Sequence, residues 1–464
     1  MTSRRVVVVG GGITGLTTAY RLTTLDPSLE ITVLESLNRL GGMIRTGKFA
    51  GSSVDEGADS FLARIPEATD LCRELGIDNR LISPSVDGAT VYSRGKIRRI
   101  PDELALGVPT SFFQLARSGI VSLGGAIRAG MDLFKPDDWP GQDESVGDLI
   151  SRRLGAEVAQ RLVDPLIGGI NASDTYELSA RMATPTIAHV ARRNRSLIRG
   201  MRSFHDRTRH VSGQPAFHSF AGGMSVLVDR LEAALDTVDL KMSAPAHSIS
   251  AQGDTYTIHS DAGDISAESI VLACPASTSA SSLAGISPNA AELLGRITYA
   301  SVAITTVSLR STDIAHPLEG AGLLIPRPEG MLTTAVTWGH LKWPHWSEDP
   351  DRAVLRISSG RHGDDRAMQL DDDELVEALS AELGDLLEIS GPILEWKVTR
   401  WPNSLPQYPP GHGDRVTAIE ATLRRDAPRV FVTGASYRGV GIPACIDQAN
   451  DAAQAVIDAI GPRE

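Results

Sequence analysis

Glycines at the end of an apolar run are the first residues whose spacing indicates a chemical role. The run Val6–Val9 leads into Gly10, Gly12 and Gly15, in the pattern G-x-G-x-x-G. The first glycine permits a tight turn, the second lets a pyrophosphate approach the backbone, and the third lets helix and strand pack closely. Glu35 follows Gly15 by 20 positions, where a carboxylate accepts hydrogen bonds from a ribose 2′-hydroxyl and repels a 2′-phosphate. This spacing predicts a dinucleotide site and disfavours NADP.

A second glycine-rich turn lies near the end of the chain. Gly434 follows an apolar run, and Gly439 and Gly441 precede a helical pattern over 444–460. A strand, a glycine turn and a helix in this order direct backbone N–H groups toward an anion or an electron-rich ring. An ordinary strand–turn–helix connection is the alternative.

No set of side chains for nucleophilic or acid–base catalysis stands out, so no catalytic residue is assigned. Cys72, Cys274 and Cys445 are far apart and lack C-x-x-C spacing, which argues against a disulfide framework and a zinc site. No metal is expected. Because no signal peptide or membrane-spanning apolar run is found, this cysteine usage predicts a reducing, cytoplasmic location.

Positive charge is concentrated in one segment of an acidic chain. The 464 residues include 45 Lys and Arg against 57 Asp and Glu, a net charge of −12, which argues against nucleic-acid binding. The segment Arg192–His210 nevertheless contains seven arginines and two histidines. It fits an anionic ligand, a partner enzyme or an anionic membrane surface, with a solvated helix face as the alternative.

The elements that must position these residues alternate between strand and helix. Buried parallel strands are predicted for four apolar runs, at 6–9, 31–34, 270–275 and 429–435. Helices are predicted after both glycine turns and over 226–235, and a strand region over 244–258. The chain predicts an α/β fold.

The two intervening regions differ from each other. Residues 90–210 are rich in helical patterns, whereas 296–410 mix strands with a helix over 371–387. An apolar stripe of leucines on that helix indicates a face that packs on a core. Three tryptophans in the second region, at 338, 343 and 346, are expected to be core or pocket wall, with stacking on a ligand as the alternative.

Further blocks carry a family resemblance that extends over nearly the whole chain. They are Arg39–Gly42, Gly57–Leu62, Pro165–Ile170, Phe217–Met224, Lys342–His345, Leu405–Tyr408, Gly411-His412 and Gly439–Pro443. With the glycine motif at the start, these blocks resemble the porphyrinogen oxidase family. That family belongs to the flavoprotein superfamily of monoamine oxidases and phytoene desaturases. The chain is most similar to the bacterial enzymes of Gram-positive type.

The resemblance implies non-covalent FAD and a discontinuous Rossmann-type domain. The FAD-binding domain would comprise 1–85, 215–295 and 411–464. A helix-rich inserted domain, 86–214, would face substrate, partner or membrane, and 296–410 would form a mixed α+β substrate-binding domain. Cys445 lies beside the last glycine turn, and we expect a buried inert thiol there rather than a covalent flavin link.

The resemblance also implies site residues. The substrate-binding candidates are Arg64, Asn171 and Lys342. The cofactor-binding set is Gly10, Gly11, Gly12, Ile13, Thr14, Gly15, Glu35, Ser36, Arg39, Gly41, Gly42, Met43, Gly57, Ala58, Asp59, Ser60, Ala246, Trp401, Gly434, Ala435, Val440, Gly441 and Ile442.

The implied activity is the six-electron oxidation of coproporphyrinogen III to coproporphyrin III in heme biosynthesis. O2 would be reduced to H2O2, and ferrochelatase would be a downstream partner. The alternative is protoporphyrinogen IX oxidase. Ala89 stands where the mitochondrial branch carries an arginine, which favours the bacterial branch. The absence of that arginine also weakens a transfer of the mitochondrial substrate pose. The family often has Tyr at the position of Asn171 and Asp at that of Ala444.

Two more distant alternatives are a flavin amine oxidase or carotenoid desaturase on the same fold, and a flavin-binding module without turnover. Against an amine oxidase, the stretch 434–438 holds one aromatic residue and the cation Arg438, which would repel a protonated amine.

Overall fold

The computed structural model of the protein describes residues 4–134, 141–209 and 215–461, and only the backbone of Thr208 and Arg209. Its strands, in chain order, are β1 (Arg5–Val9), β2 (Glu30–Leu34), β3 (Thr46–Phe49), β4 (Ser52–Asp55), β5 (Phe61–Leu62), β6 (Leu81–Ile82), β7 (Thr90–Ser93), β8 (Lys96–Arg99), β9 (Leu104–Ala105), β10 (Val108–Pro109), β11 (Phe217–Phe220), β12 (Asp239–Lys241), β13 (Ala246–Gln252), β14 (Thr255–Ser260), β15 (Gly263–Ala267), β16 (Ser269–Leu272), β17 (Tyr299–Arg310), β18 (Gly322–Leu324), β19 (Thr333–Trp338), β20 (Arg352–Ser359), β21 (Glu395–Pro406) and β22 (Val430–Val432).

The helices include several of only one turn and one π-helix, Ala159–Gly168. Short 3₁₀ turns span Asp78–Arg80, Met131–Leu133, Ser311–Asp313, Arg327–Glu329 and Pro344–Trp346. The α-helices are α1 (Ile13–Leu25), α2 (Pro66–Glu74), α3 (Phe112–Ser118), α4 (Leu123–Gly130), α5 (Val146–Leu154), α6 (Ala156–Val158), α7 (Gly169–Asn171), α8 (Ala180–Ala183), α9 (Pro185–Arg193), α10 (Leu197–Arg209), α11 (Ser225–Ala233), α12 (Ala276–Leu283), α13 (Pro288–Gly295), α14 (Gly339–Lys342), α15 (Arg366–Gln369), α16 (Asp372–Leu387), α17 (His412–Asp426) and α18 (Ile442–Ile460).

β-Branched residues build the central sheet. Val6, Val7 and Val8 on β1 are completely buried because helices cover both faces, the setting in which continuous apolar strands occur. Five parallel strands run in the order β12-β2-β1-β16-β22. The chain leaves β1 toward β2 on one side and meets β16 on the other, so a crevice opens at the carboxyl ends of β1 and β16.

Helices form a layer on each face of this sheet. Side chains of α1, α2, α11 and α18 share one apolar core with β1 and β2, and those of α12, α13 and α17 share another with β16 and β22. The sheet therefore takes its strands from the beginning, middle and end of the chain. The predicted α/β fold with a Rossmann-type sheet is confirmed.

A seven-stranded mixed sheet, in the order β21-β17-β20-β19-β18-β7-β8, forms the second large layer. Helix α16 packs on it through the leucine stripe, as predicted, since Leu375, Leu379 and Leu383 are completely buried. Asp371 begins that helix with a capping box closed by Glu374, which satisfies two backbone N–H groups that a helix start leaves without partners.

The helix-rich region from α3 to α10 has a core of its own, to which Tyr408 also contributes. In the described part of the chain, no helix is both long and apolar enough to cross a membrane. The predicted strand region over 244–258 is a hairpin of β13 and β14, in which Ile249 pairs with Ile258.

Candidate functional site

The first glycine turn has the backbone that the sequence predicts. Gly10 has a φ of +109°, and a Cβ there would lie 2.6 Å from the carbonyl oxygen of Ala273, at the end of β16. A Cβ on Gly15 would overlap the carbonyl oxygen of Gly10. These two glycines are needed by the fold itself, because β1, α1 and β16 approach too closely for any side chain.

Gly12 is different, because it borders open space. The nearest atom to a Cβ on Gly12 would be the Cα of Gly42, 3.9 Å away. Gly12 also forms a parallel bridge with Gly41, so the turn before α1 and the Arg39–Gly42 block face each other. Together they form a cradle lined by backbone, which fits the pyrophosphate of a dinucleotide.

Glu35 lies at the edge of this cradle and is almost completely buried. Its Oε2 accepts a hydrogen bond from the Gly11 N–H at 2.7 Å, and its Oε1 accepts from the Leu37 N–H at 2.8 Å and the Ser36 hydroxyl at 3.1 Å. The Ala244 N–H donates to the Glu35 carbonyl, which brings the start of β13, with Ala246, to the same edge. The predicted role of Glu35 toward a ribose stays a prediction.

The last glycine turn meets the first one. A Cβ on Gly434 would lie 3.3 Å from the hydroxyl oxygen of Thr14, and α1 and α18 pack on the same face of the sheet. Neither helix has a side-chain hydrogen bond at its N-cap, which is Gly12 in α1 and Gly441 in α18. The uncapped N–H groups and the positive ends of two helix dipoles are therefore available to an anion.

Three side chains that sequence reasoning did not single out hold this last turn. The Tyr408 hydroxyl donates to the carbonyl of Ala435 and accepts from the Gly439 N–H at 3.0 Å. Gln448 bonds to the turn from α18, and His412 from the start of α17, where its Nε2 lies 3.0 Å from the Tyr437 carbonyl oxygen. Tyr408 and His412 fall in blocks noted only for the family resemblance, and no local pattern separates their role from ordinary core packing.

Cys445 occupies the first turn of α18, buried as predicted. Burial raises the pKa of its thiol to about 11, so the sulfur is neutral near pH 7. A neutral thiol is a poor nucleophile, which fits an inert role.

A second junction brings together four predicted cofactor residues. A Cβ on Gly57 would overlap the Met43 carbonyl and would lie 3.2 Å from the indole of Trp401. The Trp401 Nε1–H donates to the Glu56 carbonyl at 2.8 Å, and the Arg39 guanidinium lies 5.9 Å from the Trp401 ring centre. Trp401 is thus held against the same blocks that border the cradle.

An apolar cluster continues from Trp401. It consists of Ala172, Ala300 and Val302, with Leu405 and Trp401 packed against it. It joins the helix-rich region to β17 and β21, so an apolar ligand beside Trp401 would contact both. Asn171 directly precedes this cluster.

Asn171 itself is buried, and its backbone carbonyl accepts a hydrogen bond from the Gln407 amide at 3.1 Å. Ala172 follows in the left-handed region, with a φ of +46°. The bend orients the Asn171 segment, but the contact uses its backbone, so a role for its side chain toward substrate stays a prediction.

Asp59 and Lys342 contact each other. The Lys342 ammonium lies 2.8 Å from Oδ2 of Asp59, the Trp343 indole N–H donates to the same oxygen at 3.2 Å, and Arg356 lies 3.8 Å away. Burial raises the pKa of the Asp59 carboxyl, but Lys342, Arg356 and the hydrogen bonds outweigh burial and hold that pKa well below its usual range. The Ser60 hydroxyl donates to the other oxygen of Asp59.

This ion pair joins the Gly57–Leu62 block to the Lys342–His345 block. Both were predicted to bind ligands, and here they bind each other. Trp338, Trp343 and Trp346 are at most 1% exposed, which confirms that these aromatic residues belong to the core.

Arg64 is exposed on the turn between β5 and α2. The neighbouring Ala63 N–H donates to the Ala216 carbonyl, and the Lys342 ammonium lies 5.9 Å from the Phe217 ring. Arg64 and Lys342 therefore lie around the same pair of strands, β5 and β11. A role for Arg64 toward an anionic substrate stays a prediction.

The structure corrects the interpretation of Arg438 as a cation that would repel a protonated amine. Its guanidinium pairs with Glu420 on α17, with contacts of 2.8 and 2.9 Å, at the protein surface. Because Glu420 neutralises this charge, Arg438 provides no argument against an amine substrate.

The family described as flavin-containing amine oxidoreductase matches residues 13–457. The coproporphyrinogen III oxidase of Bacillus subtilis (strain 168) is 32% identical over 456 residues, which cover 96% of each chain. The coproporphyrinogen III oxidase of Mycobacterium tuberculosis (strain H37Rv) is 32% identical over 467 residues, which cover 99% of each chain.

Among solved structures, a candidate protoporphyrinogen oxidase from Exiguobacterium sp. 255-15 superposes with a TM-score of 0.88. It is 28% identical to this chain, and the match covers 98% of this chain and 99% of that one. The similarity thus extends over the whole length at the levels of both sequence and fold.

Proposed function

The chain belongs to the flavin-containing amine oxidoreductase family and, within it, to the porphyrinogen oxidases, and from this membership we propose that it is an FAD-dependent coproporphyrinogen III oxidase. The reaction would be the six-electron oxidation to coproporphyrin III in heme biosynthesis. The observation that carries the substrate is the similarity to the Bacillus subtilis enzyme over 96% of both chains. The cradle of Gly12 and Gly42 supports the choice of FAD over FMN. A pyrophosphate needs such an opening, and FMN contains no pyrophosphate.

When bound, FAD supplies the two-electron acceptor for this chemistry. The residues of the chain would bind the cofactor and the substrate and orient them toward each other. The uncapped starts of α1 and α18 would stabilise the phosphate charge, and Glu35 would accept a hydrogen bond from the adenosine ribose. Arg39 and Trp401 would hold the other end of the cofactor. The cluster beyond Trp401 offers an apolar surface to a macrocycle, and Arg64 at the exposed rim is a candidate partner for a propionate.

No residue is assigned as a general base. The contacts of Glu56, whose backbone carbonyl binds the Trp401 indole, agree with that. The Glu56 carboxylate pairs with Arg45 at 2.7 Å and accepts a hydrogen bond from Lys397. Both oxygens of this carboxylate are therefore engaged by cations of the chain. Protons from the pyrrole N–H groups would leave by tautomerisation of the substrate.

We further propose O2 as the electron acceptor, with one H2O2 formed for each two-electron oxidation. Ferrochelatase, as a downstream enzyme of the pathway, is the proposed partner. A cytoplasmic location is supported by three cysteines that are all free thiols, since exported proteins of an oxidising compartment commonly pair them.

The test is an aerobic assay of the FAD-loaded protein with coproporphyrinogen III and protoporphyrinogen IX side by side, followed by porphyrin fluorescence. We expect a higher kcat/KM for coproporphyrinogen III, with H2O2 formed in proportion. A primary amine serves as the control substrate, because amine oxidation is the remaining alternative on this fold.

Protoporphyrinogen IX oxidase is the second candidate, favoured by the similarity to the Exiguobacterium structure. A preference for protoporphyrinogen IX in the same assay would replace the first substrate and keep the chemistry. Turnover of the amine alone, or of no substrate, would contradict both assignments.

A further inference from the structure

One arginine of the seven-stranded sheet is buried without a hydrogen bond. Arg356 lies on β20, and its side chain is only 13% exposed. Its Nε and Nη1 are completely buried and have no hydrogen-bond partner among the described residues. A guanidinium loses its bonds to water when it is buried, and this is costly unless other acceptors replace them. A ligand with an acceptor group would supply the bonds that Arg356 lacks.

Strand pairing places Arg356 on the face of the sheet that carries Trp401. Directly paired residues point to the same side of a sheet, as do residues four positions apart on one strand. Arg356 pairs with Thr306 on β17. Val302 lies four positions before Thr306 and pairs with Trp401 on β21. The leucines of α16 pack on the opposite face, where they share a core with Leu355.

The Gly57–Leu62 block faces both of these side chains. A Cβ on Gly57 would lie 3.2 Å from the Trp401 indole, and Oδ2 of Asp59 lies 3.8 Å from Nη1 of Arg356. The two sheet positions are separated by four residues along the strands, roughly 13 Å, and by two strand spacings, roughly 10 Å. A ligand with a large apolar body beside Trp401 and a polar arm can therefore contact both side chains.

Asp59 does not provide the acceptor that Arg356 lacks. Its Oδ2 accepts hydrogen bonds from the Lys342 ammonium at 2.8 Å and the Trp343 indole N–H at 3.2 Å. Its Oδ1 accepts from the Ser60 hydroxyl at 2.9 Å. The distance of 3.8 Å to Arg356 is too long for a hydrogen bond. Two cations thus meet one carboxylate whose oxygens already have closer donors.

Another acid near Arg356 is also engaged elsewhere. Asp55 on β4 is completely buried, and its Oδ1 accepts hydrogen bonds from the Thr46 hydroxyl at 2.6 Å and the Met224 N–H at 2.8 Å. Burial raises the pKa of the Asp55 carboxyl to about 6, and Arg356 lowers that pKa less than either hydrogen bond does. Asp55 and Arg356 are therefore not a close ion pair.

The arginines of the basic segment Arg192–His210 have a different environment. Every arginine of this segment whose side chain is described is exposed, and His210 lies outside the described residues. Water can therefore solvate these guanidinium groups, and Arg202 also donates to the Thr110 carbonyl at 2.6 and 2.9 Å. Arg356 has neither water-exposed nitrogens at Nε and Nη1 nor an acceptor for them.

We propose that Arg356 binds one propionate of the porphyrinogen and thereby positions the macrocycle beside Trp401. Hydrogen bonds from a guanidinium to a carboxylate are charge-assisted and about twice as strong as neutral ones. The apolar cluster beside Trp401 would hold the macrocycle, and the second cation at Asp59 would attract the propionate. This inference rests on the proposed function, because it assigns a partner to a group of the proposed substrate. Arg356 is a binding residue and no base, since a guanidinium stays protonated.

The test compares variants of the FAD-loaded protein with coproporphyrinogen III as substrate. Arg356→Met should raise KM about 10–100-fold, the effect of losing a hydrogen bond to a charged group. The value of kcat should change less than about threefold, because substrate and transition state keep the same propionate. Arg356→Lys should recover part of the loss, since an ammonium keeps the charge without the planar donor geometry.

A binding measurement without turnover accompanies the kinetics. The dissociation constant of the product coproporphyrin III, followed by quenching of its fluorescence, should rise about 10–100-fold in Arg356→Met. The tetramethyl ester of coproporphyrin III has no carboxylate. Its dissociation constant should therefore be the same for wild type and Arg356→Met.

Arg400 provides the matched control on the opposite face of the same sheet. Its guanidinium donates to the Asp372 carboxylate and to two backbone carbonyls. Arg400→Met should therefore lower the Tm and leave KM unchanged. Arg356→Met without porphyrin should have a Tm at least as high as wild type, because Lys342 still neutralises Asp59 while an unpaired buried cation is removed.

The outcomes separate this inference from the proposed function. A normal KM in Arg356→Met would overturn the inference while the activity stands, and so would an equal loss of affinity for coproporphyrin III and its ester. A lower Tm with a normal KM would assign Arg356 to the ion pairs of Asp59. A wild type that oxidises no porphyrinogen would refute the proposed function instead. The binding measurement then decides the inference, which fails if wild type and Arg356→Met bind coproporphyrin III equally or not at all.

Discussion

Two glycines of one motif have different reasons to be glycine. Gly15 lacks a side chain because the carbonyl of Gly10 occupies that space, whereas Gly12 borders the open cradle. We predict that Gly12→Ala folds normally, with an apoprotein Tm within about 1 °C of wild type, but binds FAD more than tenfold more weakly. Gly15→Ala should instead lose about 1–3 kcal/mol of stability from overpacking. Flavin fluorescence titration and thermal unfolding measure the two effects separately.

Gly384 in α16 provides the control, because no atom lies within 4 Å of a Cβ there. Gly384→Ala should keep FAD affinity and raise stability by about 0.5–1 kcal/mol, the helix preference of alanine over glycine. A Gly12→Ala protein with unchanged FAD affinity would refute the assignment of the cradle.

The ion pair between Asp59 and Lys342 is a second feature at the level of single residues. Lys342→Met removes the main partner of a carboxylate that is 12% exposed, so we expect a loss of about 2–4 kcal/mol in unfolding free energy. The double variant with Asp59→Asn should lose less than the sum of the two single changes. Urea unfolding measures this coupling, with Lys96→Met, at an exposed lysine on β8, as the control. A raised KM for the porphyrinogen with normal stability would instead assign Lys342 to substrate.

At the level of elements, the turn before α18 depends on Tyr408, which follows β21 in the chain. Tyr408→Phe leaves the Gly439 N–H and the Ala435 carbonyl without a buried partner, which costs about 1–3 kcal/mol. We predict that FAD affinity falls about tenfold, because the turn is then less ordered before the cofactor binds. The control is Tyr92→Phe on β7, far from the turn. Equal FAD affinity in the two variants would show that Tyr408 serves only the core.

The first residue of α17 gives the protein a pH dependence. Burial lowers the pKa of His412 to about 4, whereas an exposed histidine titrates near 6.5. Below about pH 7 the unfolded chain therefore binds a proton that the folded protein does not bind. The free energy of unfolding consequently falls until the pH reaches about 4. Between pH 8 and pH 5 the titration of this histidine should lower the free energy of unfolding by about 2 kcal/mol.

His412→Gln should remove that part of the pH dependence while leaving the contribution of other buried histidines. The measurement is the urea midpoint of wild type and variant at pH 8, 6 and 5. Parallel pH profiles for the two proteins would contradict the role of His412.

At the level of the whole molecule, the proposed FAD site links distant parts of the chain. The cradle, the Glu35 edge and the α18 turn come from the beginning and the end of the sequence, so binding stabilises the assembled sheet. FAD at 100 times its Kd should add about 2.7 kcal/mol and raise the Tm by several degrees. FMN lacks the adenosine and the pyrophosphate and should raise it less. An equal shift with FMN would contradict the assignment of FAD.

The sequence by itself determined the strand–turn–helix–strand unit at the start of the chain. Spacing within the first 35 residues predicted β1, α1 and β2 and the role of their glycines, because a tight turn between strand and helix depends on local backbone conformation. The α16 stripe was predictable for the same reason, since helical periodicity is a local property. Even the final glycine turn was predictable as a strand–turn–helix unit.

Only the tertiary structure decided which of these units face one another. It brought Gly434 to Thr14, placed Tyr408 and His412 behind the last turn, and joined Asp59 to Lys342 across 283 positions. It also turned Arg438 toward Glu420 rather than toward the site. These contacts depend on how whole layers pack, and the spacing of residues along the chain contains no record of such distances.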